Sequence, residues 1–136
     1  MKVRARVCLL DESNEPFMGI GLVWLLTRIR RLHSISKAAQ DMDMSYVKAH
    51  SILKRLERRL RRPLLLRSRG GAAKGGAELT PFAERFLARY SRHDERVSRY
   101  AQKEFAPLLK SLRAPRGTRG QRLGGAGGGV KRSRCV

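Results

Sequence analysis

The sequence predicts a mainly α-helical fold with a small β component, and three observations point there. Apolar residues recur at helical spacing over 22–32, 45–60 and 81–105, a periodicity that places them on one face of each helix. Only short stretches near Lys2–Leu10, Phe17–Met18 and either side of a glycine-rich segment at 67–76 have strand character. Charge is also uneven: 31 Lys and Arg stand against 11 Asp and Glu, a formal +20, on a chain of 136 residues. That length suits one domain and little more. A small fold tolerates such an excess of like charge when its partner is a polyanion.

The densest information lies in Ser34–Leu60. Ser34 or Ser36 can cap a short helix, because a serine hydroxyl accepts one of the free N–H groups at a helix start. Ala38, Ala39 and Met42 give that helix a small-residue face, and Asp43 tolerates the left-handed backbone of a tight turn. Ser45 caps a longer helix in which Ala49, Ile52, Leu53, Leu56 and Leu60 form one apolar stripe. The other face holds Lys48, His50, Ser51, Lys54, Arg55, Arg58 and Arg59. A short helix, a tight turn and a basic second helix constitute a helix-turn-helix, whose second helix lies in a DNA major groove.

Lys2–Leu10 alternates apolar and polar residues with a period of two, which argues a half-buried strand. Asp11–Pro16 is turn chemistry, and Phe17–Met18 reads as the return strand of a hairpin that scaffolds one edge. Leu22, Leu25, Leu26, Ile29 and Leu32 then share a helix face that completes a three-helix core, with Val23 and Trp24 beside it. His33 reads as a turn residue.

Pro63 forbids continuation of the basic helix. Leu64–Leu66 enters a strand, and Glu78–Leu79 leaves through a second one. Between them, Arg67, Arg69 and Lys74 are the only charges of a glycine-rich tip, and strand, thin tip and strand after a basic helix describe a wing. Its cations can reach phosphates or the minor groove. The phosphate-loop pattern G-x-x-x-x-G-K-[ST] is absent. The expected fold is therefore a winged helix-turn-helix with an N-terminal β-hairpin and a long C-terminal helix.

Thr80-Pro81 marks the start of that last helix, which should run to about Phe105 and bend or end at Pro107. Phe82, Phe86 and Tyr90 should pack on the core. Val97, Ala101 and Leu108 suggest a seam against another helix, either in a second copy or in the same domain. The expected domain is 1–110. Residues 111–136 hold seven cations and no acid, few can pack, and the segment should be a disordered Arg/Gly tail. Removing its +7 from +20 leaves +13 on residues 1–110, so the folded part is itself basic. Residues 44–74 carry ten cations and one acid, which concentrates the excess on the basic helix and wing.

The function classes narrow accordingly. No apolar run approaches the roughly 18–20 residues needed to span a bilayer, and no signal peptide is evident, so a cytoplasmic, nucleoid-associated protein without membrane contact is expected. Cys8 and Cys135, at opposite ends of the chain, read as a packed thiol and a tail thiol in preference to a disulfide. No acid pair, nucleophile with its base, or metal-ligand cluster accompanies His33, His50 or His93, so neither an enzyme nor a cofactor is expected. The candidate DNA contacts are Ser36 and Lys37 on the first helix and Ser45, Tyr46, Lys48, His50 and Ser51 at the start of the second. Lys54 and Arg55 would meet phosphates, and Arg67, Arg69 and Lys74 the flanking backbone. Tyr46 reads equally well as a packing residue. A sequence-indifferent binder, architectural or RNA-directed, is the alternative to a regulator of double-stranded DNA.

Ser34-Ile35-Ser36-Lys37-Ala38-Ala39, Met44-Ser45-Tyr46 with Ala49, and the doubled glycines Gly70-Gly71 and Gly75-Gly76 before Leu79-Thr80 resemble the DNA-binding half of ModE-type molybdate-responsive regulators. A broader similarity to LysR-type winged helices runs through Ala38-Ala39, Ser45, Leu56-Glu57, Leu60, Pro63-Leu64, Arg67 and Thr80. The resemblance covers about residues 2–105. It implies a homodimeric winged-helix transcription factor in which the N-terminal strand and the last helix assist dimerisation. His33 and Asp43 stand where turn glycines are common in the family, and His50 where tryptophan often follows the helix alanine. A tail of 26 residues (136 − 110) is too short for the family's molybdate-binding domain. Neither molybdate sensing nor any other small-molecule effector is expected.

Overall fold

A computed structural model describes residues 1–67 and 76–113. In chain order these form β1 (Leu9–Leu10), β2 (Pro16–Met18), α1 (Ile20–Leu32), α2 (Ile35–Asp41), α3 (Tyr46–Leu60), β3 (Leu65–Arg67), β4 (Ala77–Leu79) and α4 (Pro81–Arg113). The two strand pairs are separate antiparallel ribbons: β1 with β2, and β3 with β4 in the register Leu65–Leu79, Leu66–Glu78, Arg67–Ala77. The mainly α, winged arrangement expected from the sequence is the one observed.

The core forms where three helices meet. Leu22, Leu25, Leu26 and Ile29 of α1 pack with Ile35, Ala38 and Ala39 of α2 and with Ala49, Leu53 and Leu56 of α3. Met18, Leu64, Leu79, Ala83, Leu87 and Tyr90 close it from the strands and α4. The alanines matter because a side chain of one carbon lets α2 lie close to its neighbours. Two left-handed residues set the corners: His33 (φ 52°) ends α1, and Asp43 (φ 52°) turns the chain between α2 and α3. A third, Arg61 (φ 52°), ends α3 ahead of Pro63. Of the two possible caps for α2, Ser34 takes the role: its hydroxyl accepts from the Lys37 N–H at 3.2 Å.

Two elements depart from the sequence reading. Lys2–Leu10 is not a strand throughout, since only Leu9 and Leu10 pair with β2. Its alternation is still real, with Val3, Ala5 and Val7 turned inward and Lys2, Arg4 and Arg6 exposed. The backbone of this arm bonds to α4 side chains in place of a ladder. The Asp94 carboxylate accepts from the Val7 N–H (2.7 Å) and the Arg6 guanidinium (2.9 Å), and the Tyr90 hydroxyl donates to the Val7 carbonyl. Burial, and next the Asp94 charge, push the Tyr90 phenol above its usual pKa while Arg6 opposes them, so it stays a donor.

The second departure is that α4 does not end near Phe105 or at Pro107 but continues to Arg113. Proline cannot bond the carbonyl four residues back and crowds it. Pro107 and Lys103 are both exposed, so water can serve the group left without a partner. Helical spacing of Phe105, Leu108 and Leu112 carries on through the site. Residues 111–113, expected in the tail, are thus helical, and residues 114–136, with Cys135, lie outside the described residues. Cys8, expected as a packed thiol, is disulfide-bonded.

Asp94 is only 4% exposed although charged. Asp94→Ala should cost about 1–3 kcal/mol, because it strands the Val7 N–H and the Arg6 charge against α4. Denaturant unfolding measures the loss, and amide exchange at Val7 should accelerate. Unchanged exchange there would mean that the Asp94 carboxylate is not what holds the arm.

Candidate nucleic-acid interface

The candidate surface is built by α3 and the turn before it. Ser45 sits in extended conformation (φ −68°, ψ 151°) and its hydroxyl accepts from the Lys48 N–H at 3.1 Å. This cap fixes where the helix begins and which residues its first turn presents. Burial of Ala49, Leu53 and Leu56 then fixes the rotation of the rod. Tyr46, Val47, Lys48 and Ser51 are turned to solvent as a result.

The sequence candidates fall into groups. Ser45, Tyr46, Lys48 and Ser51 come together on the exposed first two turns, with His50 half-buried at their edge. Tyr46 is 47% exposed, so it is not a core residue. Its ring stacks on His50, with centroids 5.7 Å apart and planes tilted by 25°. One helical turn separates the two, and the stacked pair forms one edge of the surface. Ser36 and Lys37 are exposed on α2.

Lys54 and Arg55 are exposed further along α3, but they are engaged differently from Lys48. Lys54 pairs with Glu57 at 2.8 Å, and Glu57 in turn accepts from the Leu64 N–H at 3.0 Å, tying α3 to the approach to the wing. Burial acts to raise the Glu57 pKa, but the Lys54 ammonium and the backbone N–H groups of Leu64 and Leu65 outweigh it and hold the carboxyl below its ordinary value. Arg55 lines an open cleft with Asp11, Glu15, Arg58 and Arg59. There the Asp11 carboxylate accepts from the N–H groups of Glu15 (2.9 Å) and Ser13 (2.8 Å) and pairs with Arg59. Those contacts keep Asp11 below its ordinary pKa and clamp the hairpin onto the far end of α3.

A carboxylate with a depressed folded pKa stabilises the fold fully above its unfolded value, and that support is lost as pH falls through the folded value. The stability difference between the wild type and Glu57→Gln should therefore be largest at neutral pH and vanish towards pH ~3. Urea midpoints at the two pH values check it; a constant difference would show that the ionised form is not what matters.

Arg67 lies in β3, and the placement of its side chain, like Arg69 and Lys74 of the wing tip, falls outside the described residues. The sequence reading passes over Val47, which is 75% exposed in the first turn of α3. Its signal was available: it stands off the apolar stripe and four residues before Ser51. An exposed valine here suits contact with a thymine methyl group. Among the described residues no three His, Cys, Asp or Glu side chains gather as a metal site requires. No helix among them is long and apolar enough to cross a membrane.

Comparison with known proteins agrees with this geometry. Residues 22–84 match the model of the bacterial regulatory helix-turn-helix protein, lysR family. The match runs from α1 through the wing into α4. The chain is 38% identical over 95 residues to the transcriptional regulator ModE of Haemophilus influenzae, an alignment covering 68% of this chain and 37% of that protein. It is 37% identical over 86 residues to the molybdenum-pterin-binding protein MopB of Rhodobacter capsulatus, covering 63% of this chain and 32% of that one. The chain thus spans about a third of the length of these curated relatives.

Proposed function

We propose that this chain, whose residues 22–84 are a ModE-like helix-turn-helix of the bacterial regulatory lysR type, is a DNA-binding transcription regulator that lays α3 in the major groove. The observation that carries this is the rotation of α3: its apolar stripe is hidden and Val47, Lys48 and Ser51 are free at the end that meets base edges in such motifs. Lys37 and Ser36 hold a phosphate beside α2, and Arg67, Arg69 and Lys74 follow the flanking backbone. No catalytic role is assigned to any residue.

The active form is a homodimer. Past the point where α4 leaves the core, Val97, Ala101, Phe105, Leu108 and Leu112 continue one helical face, and all but Ala101 are largely exposed. A second copy offering the same stripe covers both. Phe105→Glu with Leu108→Glu should convert the dimer to monomer in sedimentation experiments and weaken binding to a two-half-site duplex far more than to one half-site.

A salt titration tests the reading itself. Each phosphate neutralised contributes about −0.9 to the slope of log K against log salt. Steep dependence is expected, with selected duplex preferred over random duplex and over RNA. A flat slope contradicts DNA binding, and equal affinity for all three competitors supports a sequence-indifferent binder in place of a regulator.

A further inference from the structure

The outer side of α4 carries a second concentration of positive charge, apart from α3. Arg85, Arg89, Arg92, Arg96, Arg99 and Lys103 follow one another at steps of four, three, four, three and four residues. At 3.6 residues per turn those steps keep all six within about 40° of one line along the helix. Lys110 extends the row. Every one of these residues is exposed, and the ion pairs among the described residues engage none of them.

Two features separate this row from an ordinary solvated helix face. Its consecutive members stand at i,i+3 or i,i+4 from one another and repel, an arrangement that weakens a helix where alternating signs would support it. Glu95, three residues after Arg92 and four before Arg99, is the one acid at such a spacing from the row. Glu84, Asp94 and Glu104 lie on other faces of α4, and Glu95 flanks the row without an ion pair to it among the described residues. The row also points away from the domain, because Ala83, Leu87, Tyr90 and Asp94, which are buried, occupy the opposite side of α4. The apolar stripe from Val97 to Leu112 shares that opposite side, so dimerisation through it leaves the cations free.

We propose that this row is a second DNA-binding surface, which grips the phosphate backbone of a duplex segment other than the one held by α3. From Arg85 to Lys103 the row is about 27 Å long at 1.5 Å per residue. Duplex DNA carries one charge per about 3.4 Å per strand, so a row of that length faces about eight phosphates of a strand. α1 packs against both α3 and α4, and each turns its cations away from that shared core. Two cationic faces on different elements allow one protein to hold two duplexes. A lipid surface fits less well, since membrane-lying helices present cations and apolar residues to the bilayer together, and here they are on opposite sides.

The test uses the full chain and two steps. Immobilised short duplex is loaded with protein and washed, and labelled second duplex is then added. Wild type is expected to capture it with steep salt dependence. The variant Arg89→Gln, Arg92→Gln, Arg96→Gln, Lys103→Gln should load normally, keep its helical circular dichroism, and capture at least about tenfold less, its salt slope reduced by about 3–4. Lys48→Gln reports separately on loading, so failure of the α3 reading and failure of this one are distinguishable. Capture by the Gln variant equal to wild type overturns the proposal. So does retention of phosphatidylserine vesicles, or of RNA duplex, in preference to DNA.

Discussion

Leu53→Ala is expected to lower unfolding free energy by about 2–5 kcal/mol, the range for truncating a buried leucine without full collapse of the cavity. Leu53 is 1% exposed and lies midway along α3, between Ala49 and Leu56 on the stripe facing α1 and α2. Domains of this size have about 5–15 kcal/mol to lose, so the variant should be marginally folded at best. Val47→Ala, six residues earlier and 75% exposed, is the control and should leave the melting temperature within a degree or two. If both changes cost the same, the rotation of α3 about its axis is not the one described, and the recognition surface would have to be drawn again.

Lys48→Gln should weaken duplex binding by about tenfold and reduce the salt slope by about 0.9, the loss of one phosphate or base-edge contact. Its ammonium has no carboxylate partner among the described residues, and Ser45 caps the turn that carries it. Lys54→Gln should do less. Glu57 already engages Lys54, and the binding energy gained at a phosphate is offset by breaking that pair. Parallel titrations of the two variants check the order; a larger effect at Lys54 would move the DNA-facing centre of α3 towards its C-terminal half.

The helices were legible in the sequence because their signals are local. A serine before each helix, an apolar period of 3.6 and a turn-tolerant Asp43 together placed α2 and α3, and burial of Ala49, Leu53 and Leu56 followed. The arm was harder to read. Its alternation is a strand's, yet what completes its hydrogen bonds is Asp94, 87 positions away from Val7, a pairing no local pattern announces. Pro107 misled in the opposite way. A strong local rule for breaking helices was overridden at an exposed position near the end of α4, where the rule costs least.

The site divided along the same lines. Exposure of Lys48 and Ser51 followed from the stripe opposite them, whereas Tyr46 read equally well as a packing residue until the fold placed it outside the core. Which of the flanking cations are already engaged did not, because Glu57 reaches both Lys54 and the Leu64 N–H only once the chain has turned at Arg61. Val47 was overlooked for its chemistry, since an apolar residue is ordinarily counted towards a core. The row on α4 is present in the sequence as cations three and four residues apart, but only the burial of Ala83, Leu87, Tyr90 and Asp94 fixes that it faces outward.

Lysine-reactivity footprinting with and without duplex DNA tests the α3 surface most directly. A small acylating reagent should modify Lys48 readily in the free protein, since the residue is exposed, and several-fold more slowly once a short duplex saturates it. Lys37 should be protected alongside it. Lys48 labelled at the same rate in both states, on a protein that is demonstrably bound, would mean that the cationic face of α3 does not enter the groove.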